Sequence, residues 1–151
     1  MNTQESYISS NKKAYFDYDI QDKLEAGLIL TGPEVKSVRN GRVNLKGSYV
    51  AVLSDGPYVI DMHINEYPQA ALKHYEPKSK RKLLLNKKEI EKLLQIEKTG
   101  GLAVIPTKIY FKKGLIKLEI AVGKGKKMHD KRNSMKKSAQ KIEIQRALKH
   151  Y

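Results

Sequence analysis

The chain contains no cysteine, and this absence removes three kinds of chemistry. Disulfide bonds cannot form, thiolate metal sites are excluded, and no nucleophilic thiol is available. The sequence also lacks a run of about 18 apolar residues of the kind that spans a bilayer. Its first residues, 1–5, show no basic and apolar targeting pattern. These absences predict a cytoplasmic protein without a membrane partner.

The sequence motifs of the common enzyme classes are missing as well. There is no glycine-rich phosphate loop after a strand, no His-Glu-x-x-His metal helix and no Gly-x-Ser-x-Gly elbow. His129 beside Asp130 has the composition of a general base with its orienting carboxylate, but the pair lies in a segment with little means of folding alone. We therefore predict no enzymatic activity, no metal site and no cofactor. An RNA-processing enzyme that uses His129 and Asp130 is kept as an alternative.

Positive charge is the most prominent property that the sequence does have. The net charge is +14, and residues 123–151 carry +8 of it, with 10 Lys and Arg against Asp130 and Glu143. Such a segment buries too little apolar surface to fold alone, yet it can neutralise phosphates and release their counterions. It therefore predicts a basic tail that is disordered when free. A thin apolar stripe at helical spacing, Met135, Ala139 and Ile142, predicts that the tail becomes helical against a charged surface such as RNA. The alternative is a solvated charge run that only keeps the protein soluble.

The remaining residues are enough for one domain, predicted at 13–122 after a flexible leader at 1–12. Alternating and β-branched patterns predict six strands, at 15–20, 26–30, 43–53, 58–64, 102–111 and 115–122. The turn chemistry of residues 54–57 joins the third and fourth strands as a hairpin. No alternation of strands with helices is visible, so a small six-stranded antiparallel barrel is predicted rather than a parallel sheet.

Two short helices are predicted from their start signals. Thr31 followed by Pro33 and Glu34 forms a capping box with proline in the first turn, and Asn86 with Glu89 forms a second capping box. Glycines close both helices.

A second basic region lies inside the domain. Four cations precede the apolar run 83–85, namely Lys78, Lys80, Arg81 and Lys82. Cations at the start of a helix oppose its macrodipole, so they are expected to face an external polyanion, although an exposed basic loop without a partner is also possible. Leu84 is taken as a buried leucine. Glu25 has the chemistry to accept hydrogen bonds from guanine or cytosine amino groups, or to orient an arginine.

Four ordered blocks of the chain then carry a family pattern. They are EAGLILTGPEVKS at 25–37, GRVNL at 41–45, RKLLLN at 81–86, and KGKK at 124–127 with DKR at 130–132. These blocks closely resemble the SmpB family, the tmRNA-binding proteins of bacterial trans-translation. The resemblance implies a six-stranded barrel related to the oligonucleotide-binding fold, with short helices packed on it. It also implies a protein that binds the tRNA-like domain of tmRNA and brings it to ribosomes stalled on messages without a stop codon.

The resemblance also implies two sets of site residues in a monomeric protein of the bacterial cytoplasm. The predicted tmRNA-binding residues are Glu25, Arg42, Asn44, Tyr49, Lys82, Leu84 and Lys117. The tail is implied to enter the empty mRNA channel of the small subunit and probe the rRNA of the decoding centre. Its predicted residues are Lys124, Lys126, Lys127, His129, Asp130, Lys131, Arg132, Ala147 and Leu148. A constitutive rRNA-binding ribosomal or assembly protein is the rival hypothesis, since it explains the charge and the fold equally well.

Overall fold

The computed structural model describes residues 6–70, 74–127 and 131–132, and strands account for much of them. Along the chain the elements are β1 Ser6–Ser10, α1 Lys12–Asp17, β2 Tyr18–Leu28, α2 Gly32–Arg39, β3 Val43–Asn44, β4 Tyr49–Leu53, β5 Gly56–Ile60, β6 His63–Ile64, a 3-10 helix Pro68–Ala70, β7 Arg81–Leu84, α3 Lys87–Thr99, β8 Ala103–Lys112 and β9 Leu115–Gly125.

Seven of these strands form one antiparallel sheet in the order β1-β8-β9-β2-β7-β5-β4, and β3 pairs with β6 separately. The prediction of a mainly β, antiparallel fold is confirmed, while six strands were too few. The predicted closed barrel is corrected, because among the described residues the sheet is open, with β1 and β4 at its edges. Strand β1 takes part of the β8 edge, and β4 lies beside β8 without pairing to it. The relation to the oligonucleotide-binding fold stays a prediction.

The N-terminal region differs most from its prediction. Strand β1 lies within the segment expected to be a flexible leader, and it pairs with β8, with Tyr7 opposite Tyr110. Nothing local in the sequence indicates this pairing, because the partner strand lies about 100 residues away along the chain. The edge of β8 supplies hydrogen-bonding groups that a short polar segment can use without a hydrophobic run of its own.

Helix α1 replaces most of the strand predicted at 15–20, which was wrong up to Asp17. Asn11 explains the change. Its side-chain oxygen accepts from the Ala14 backbone N–H at 3.2 Å and caps the helix. Its amide group donates to the backbone oxygens of Leu45 at 3.3 Å and Pro106 at 3.2 Å. These last two contacts are long-range, so the alternating pattern of the segment could not reveal them.

The hairpin predicted at residues 54–57 is present, and the last two predicted strands also pair as a hairpin, although the strand lengths differ. Strands β4 and β5 are joined at residues 54 and 55, but each predicted strand is broken, at Gly47 and Asp61, which have φ values of 80° and 62°. Strands β8 and β9 turn at Lys113 and Gly114. Strand β9 continues to Gly125, past the predicted domain boundary at 122, because it pairs with the start of β2.

The core lies between the inner face of the sheet and the helices. Strand β9 contributes Leu118 and Ile120, which are fully buried, and α2 and α3 cover this face with Val38 and Leu93. Both predicted capping boxes are confirmed, at Thr31 and at Asn86. The alternation of β9 therefore sends its remaining side chains, including that of Lys117, to the outer face of the sheet.

A buried ion pair links helix α2 to the centre of the sheet. The side chains of Arg81 and Glu34 are only 3% and 7% exposed, and Arg81 Nη2 lies 2.7 Å from Glu34 Oε2. Arg81 also donates to the Met62 backbone oxygen and, at 3.0 Å, to the Tyr75 hydroxyl, which in turn donates to the Ile64 backbone oxygen. The expectation that Arg81 faces an external polyanion was wrong, because β7 directs it inward to Glu34.

The pKa of Glu34 follows from this network. Burial alone would raise the pKa of the carboxyl group, but the Thr31 backbone N–H and the Arg81 guanidinium donate to it and together lower the pKa below its ordinary value. The ionised pair is therefore the stable form at neutral pH. Since the folded pKa is lowered, the stabilisation is complete above the unfolded value of about 4.3 and is lost as the pH falls through the folded value.

The first prediction concerns the stability that this network provides. Glu34→Ala is expected to lower the free energy of unfolding by about 3–5 kcal/mol, because Arg81 is left buried without a counter-charge. Glu89→Ala is the matched control: Glu89 completes the same capping box on α3 but has no arginine partner among the described residues, so its loss should cost only roughly 1 kcal/mol. Urea unfolding at pH 7 measures both values, and equal losses would contradict the prediction.

Candidate nucleic-acid interface

The strand register places one row of residues across the outer face of the sheet. From β1 to β7 the successive partners are Tyr7, Tyr110, Lys117, Gly27 and Leu84. Directly opposed residues in antiparallel strands share a face. Glu25 lies two residues before Gly27 on the same face of β2, opposite Glu119. The structure therefore brings together Glu25, Leu84 and Lys117, which the sequence placed on three distant segments. We call this surface the outer face.

Gly27 allows Leu84 to take its place on the outer face. A Cβ atom at position 27 would lie 3.2 Å from Leu84 Cβ and 3.4 Å from Leu84 Cδ1, so the leucine side chain lies over the glycine. Leu84 is 59% exposed, and the expectation of a buried leucine was wrong. The reason is the alternation of β7: Arg81 and Leu83 point inward, so Leu84 must point outward.

The same alternation adds Lys82 to the outer face and extends this face to β5. Lys82 is opposite Tyr58, and the Lys80 ammonium group lies 4.9 Å from the centre of the Tyr58 ring. The Tyr58 hydroxyl donates to the carboxylate of Asp55 at 2.6 Å. This hydrogen bond raises the pKa of Tyr58 and lowers that of Asp55. A tyrosine ring therefore lies beside two lysines where β5 pairs with β7. Surfaces that bind single-stranded nucleic acids combine aromatic and cationic groups in this way.

A β-bulge at Thr107 directs further polar residues to the outer face. Before the bulge, Pro106 is opposite the buried Ile120, whereas after it Ile109 is opposite the buried Leu118. The extra residue shifts the alternation by one position. Lys108, Tyr110 and Lys112 consequently lie beside Glu25 and Lys117, and sequence reasoning missed all three. The usable signal was the change in phase of the apolar residues between positions 106 and 109.

Electrostatic contacts hold Glu25 in its ionised form. The Tyr110 hydroxyl donates to Glu25 Oε2, and Lys112 Nζ lies 3.2 Å from the same oxygen. The hydrogen bond from Tyr110 is the largest cause of a lowered pKa for Glu25, and burial opposes it. Lys112, and at longer range Lys117, lower the pKa further. The outer face thus carries an anchored carboxylate among lysines, which accepts hydrogen bonds while its surroundings attract phosphates.

Three other predicted RNA-binding residues lie on different elements. Arg42 and Asn44 are exposed beside and in β3, which belongs to the separate two-stranded sheet, and Asn44 accepts from the Lys46 backbone N–H at 2.9 Å. Tyr49 begins β4 and lines a cavity of about 390 Å3 beside α1. The structure does not bring these three residues onto the outer face beside Glu25, Leu84 and Lys117.

The start of the predicted tail contacts helix α1. The Lys126 backbone N–H donates to the Asp17 backbone oxygen at 2.8 Å, and Lys131 Nζ lies 3.3 Å from Asp17 Oδ1. Lys124 is in β9, opposite Asp19, while Lys127 and Arg132 are exposed. The other predicted tail residues lie outside the described residues, namely His129, Asp130, Ala147 and Leu148.

No group of three or more His, Asp or Glu side chains within 6–70, 74–127 and 131–132 is arranged to hold a metal ion. Over the same part of the chain, no helix has the length and apolar character needed to cross a membrane.

Comparison with known proteins gives consistent matches. The family profile described as SmpB protein matches residues 8–150. The SsrA-binding protein of Desulfitobacterium hafniense is 50% identical over 139 residues, which cover 92% of this chain and 89% of that protein. The SsrA-binding protein of Lactobacillus acidophilus is 46% identical over 143 residues, or 95% of both chains. A solved structure described as "tmRNA-SmpB: a journey to the center of the bacterial ribosome" matches with a TM-score of 0.66 and 34% identity, over 84% of this chain and 93% of that one.

The second prediction concerns the ionisation of Glu25. In the Tyr110→Phe variant the pKa of Glu25 is expected to rise toward its ordinary value, because the variant lacks the hydroxyl that contributes most to lowering it. Lys112→Met should also raise the pKa of Glu25, since it removes a hydrogen bond and a nearby positive charge. NMR titration of the glutamate carboxyl carbons measures both. An unchanged Glu25 pKa in folded Tyr110→Phe protein would show that the hydrogen bond has no such role.

Proposed function

The chain belongs to the SmpB family, and on that premise we propose that it binds the tRNA-like domain of tmRNA and brings it to stalled ribosomes in trans-translation. The similar SsrA-binding proteins and the similar tmRNA–SmpB structure support this function for the whole chain, because the matches cover nearly its full length. The observation that carries the proposal is that Glu25, Leu84 and Lys117 lie together on the outer face.

The chemistry of the outer face suits folded RNA. Lysines on three strands of the sheet, Lys82, Lys108 and Lys117, can neutralise phosphates and so provide affinity that does not depend on sequence. The exposed side chains of Leu84 and Tyr7 offer apolar surface to unstacked bases, and Glu25 can accept hydrogen bonds from base amino groups. A rigid sheet holds all of these groups at fixed spacing, as recognition of a defined RNA shape requires.

The basic tail has a separate role in this proposal. It enters the empty mRNA channel and probes the decoding centre, using the cations of 124–132 and the apolar pair Ala147 and Leu148. The protein is an adaptor of the bacterial cytoplasm, without chemistry of its own, and the peptidyl transfer that it enables belongs to the ribosome. The contacts of Lys126 and Lys131 with α1 support a tail whose first residues are guided by the domain.

A constitutive ribosomal or assembly protein is the rival function. A rival of that kind should be stoichiometric with every ribosomal subunit, whereas a rescue adaptor should be found in much smaller amounts. Sequencing of the RNA that co-purifies with the tagged protein at moderate salt separates the two. Strong enrichment of one tRNA-like RNA supports the adaptor.

The third prediction tests the outer face. The double variant Glu25→Ala with Lys117→Ala should bind the tRNA-like domain more weakly by about 1–3 kcal/mol, because charge-assisted contacts are lost while the fold is kept. The control is Glu91→Ala with Lys98→Ala on the exposed side of α3, which removes the same two charges elsewhere. Filter binding measures the affinity of each variant for the tRNA-like domain, and circular dichroism checks that each variant is folded. The proposed interface fails if the two double variants bind equally well.

The fourth prediction separates the domain from the tail. Truncation after Lys127 removes a net charge of +5 but keeps all of β9 and its pairing with β2. Binding of tmRNA should survive with a shallower salt dependence, since fewer counterions are released, whereas tagging of stalled peptides should be lost. Joint replacement of Asp130, Lys131 and Arg132 by alanine should act similarly with most of the charge retained. Normal tagging by the truncated protein would refute the division of roles.

A further inference from the structure

A cavity opens on the outer face at the point where β1 joins the sheet. It has a volume of about 270 Å3, and its lining includes Tyr7, Tyr110, Lys23, Lys108, Glu25 and Glu119. Sites for small organic molecules usually measure about 300–1,000 Å3, so this cavity suits one planar ring system rather than several nucleotides. Aromatic rings, cations and carboxylates therefore converge on a space of the size of one base.

Tyr7 is the most exposed aromatic side chain of this cavity, at 61%. Its ring meets the edge of Tyr110, with the ring centres 6.0 Å apart at an angle of 64°, and Lys108 Nζ lies 4.9 Å from the Tyr7 ring centre. Two neighbours thus hold the ring in place while most of its surface faces solvent. Exposed aromatic rings next to cations are the surfaces on which unpaired bases stack.

The two carboxylates of the cavity are each positioned by neighbouring hydroxyl and ammonium groups. Glu119 Oε2 accepts from the Thr107 hydroxyl at 2.8 Å, and its Oε1 lies 3.9 Å from Lys23 Nζ. Glu25 Oε2 accepts from Tyr110 and Lys112. Ionised carboxylates can only accept hydrogen bonds, so they favour a base that presents donors. Guanine presents two adjacent donors, N1–H and N2–H, which match the two oxygens of one carboxylate.

We propose that this cavity binds one unpaired guanine of the RNA, stacked on Tyr7 and read by the carboxylate of Glu119, with Lys23 and Lys108 facing the flanking phosphates. The proposal rests on the proposed function, because it requires RNA to lie on the outer face. It adds a base-specific contact at the β1 end of the outer face, where Tyr7 and Glu119 line the cavity. The bulge at Thr107 both aims Lys108 outward and anchors Glu119, so one backbone irregularity organises the site.

The absence of tryptophan from the chain permits a direct test. Tyr7→Trp creates a single tryptophan, whose fluorescence is expected to be quenched by short uridine oligonucleotides that carry one central guanosine. Inosine, which lacks the N2 amino group, should require about tenfold higher concentration, as loss of one hydrogen bond of roughly 1.4 kcal/mol implies. Tyr67→Trp is the control, since Tyr67 also has a lysine over its ring but lies outside this cavity. Equal quenching at both positions, or no preference for guanosine over inosine, would overturn the proposal.

Two further variants separate stacking from base reading and from the proposed function. Glu119→Gln in the Tyr7→Trp protein should keep the quenching but lose most of the guanosine preference. Tyr7→Thr, which preserves strand propensity, should weaken binding of the tRNA-like domain about tenfold, while Tyr67→Thr should leave it unchanged. If Tyr7→Thr binds normally but the Glu25 and Lys117 double variant does not, only the guanine site is overturned. If both bind normally, the proposed function of the outer face fails as well.

Discussion

The buried carboxylate of Glu34 is the contact on which the arrangement of the other elements depends. One carboxylate caps α2 through Thr31 and receives the guanidinium of Arg81 from β7, and Arg81 reaches the backbone at Met62. Replacement of a whole buried ion pair by apolar residues is often neutral for stability. We expect the Glu34–Arg81 pair to supply orientation. Glu34 is the one buried carboxylate among the described residues, so its pairing with Arg81 sets the position of α2 against the sheet.

The orientation of β7 determines which of its side chains lie on the candidate RNA surface. With Arg81 and Leu83 held inward, the pleat of the strand turns Lys82 and Leu84 outward. Leu84 then lies over Gly27, where any larger residue would meet it at 3.2 Å. The exposed side chain of Leu84 is therefore available for the RNA contact proposed above. A buried interaction needed for the fold therefore determines which side chains are available for binding.

The part of the outer face near β1 and β8 depends on a β-bulge instead of a buried ion pair. The bulge at Thr107 shifts the phase of β8, so that Lys108 and Tyr110 join Glu25 and Lys117 rather than entering the core. Strand β1 then occupies the β8 edge and brings Tyr7 beside Tyr110. The outer face is thus assembled from six strands by two independent features, an inward ion pair at β7 and a bulge in β8. Both act by setting the direction of alternate side chains.

The sequence by itself determined what depends on neighbouring residues. The capping boxes at Thr31 and Asn86, the turns that close both hairpins, the basic excess and the family blocks were all readable, because caps, turns and charge act within a few residues. Only the tertiary structure decided that residues 6–10 form a strand, that Asn11 starts a helix, that Arg81 is buried and that Leu84 is exposed. Each of these outcomes depends on a partner that is distant in the chain, such as β8 for β1 or Glu34 for Arg81. Register and burial arise only when such segments meet, so local patterns, which report propensity alone, do not contain them.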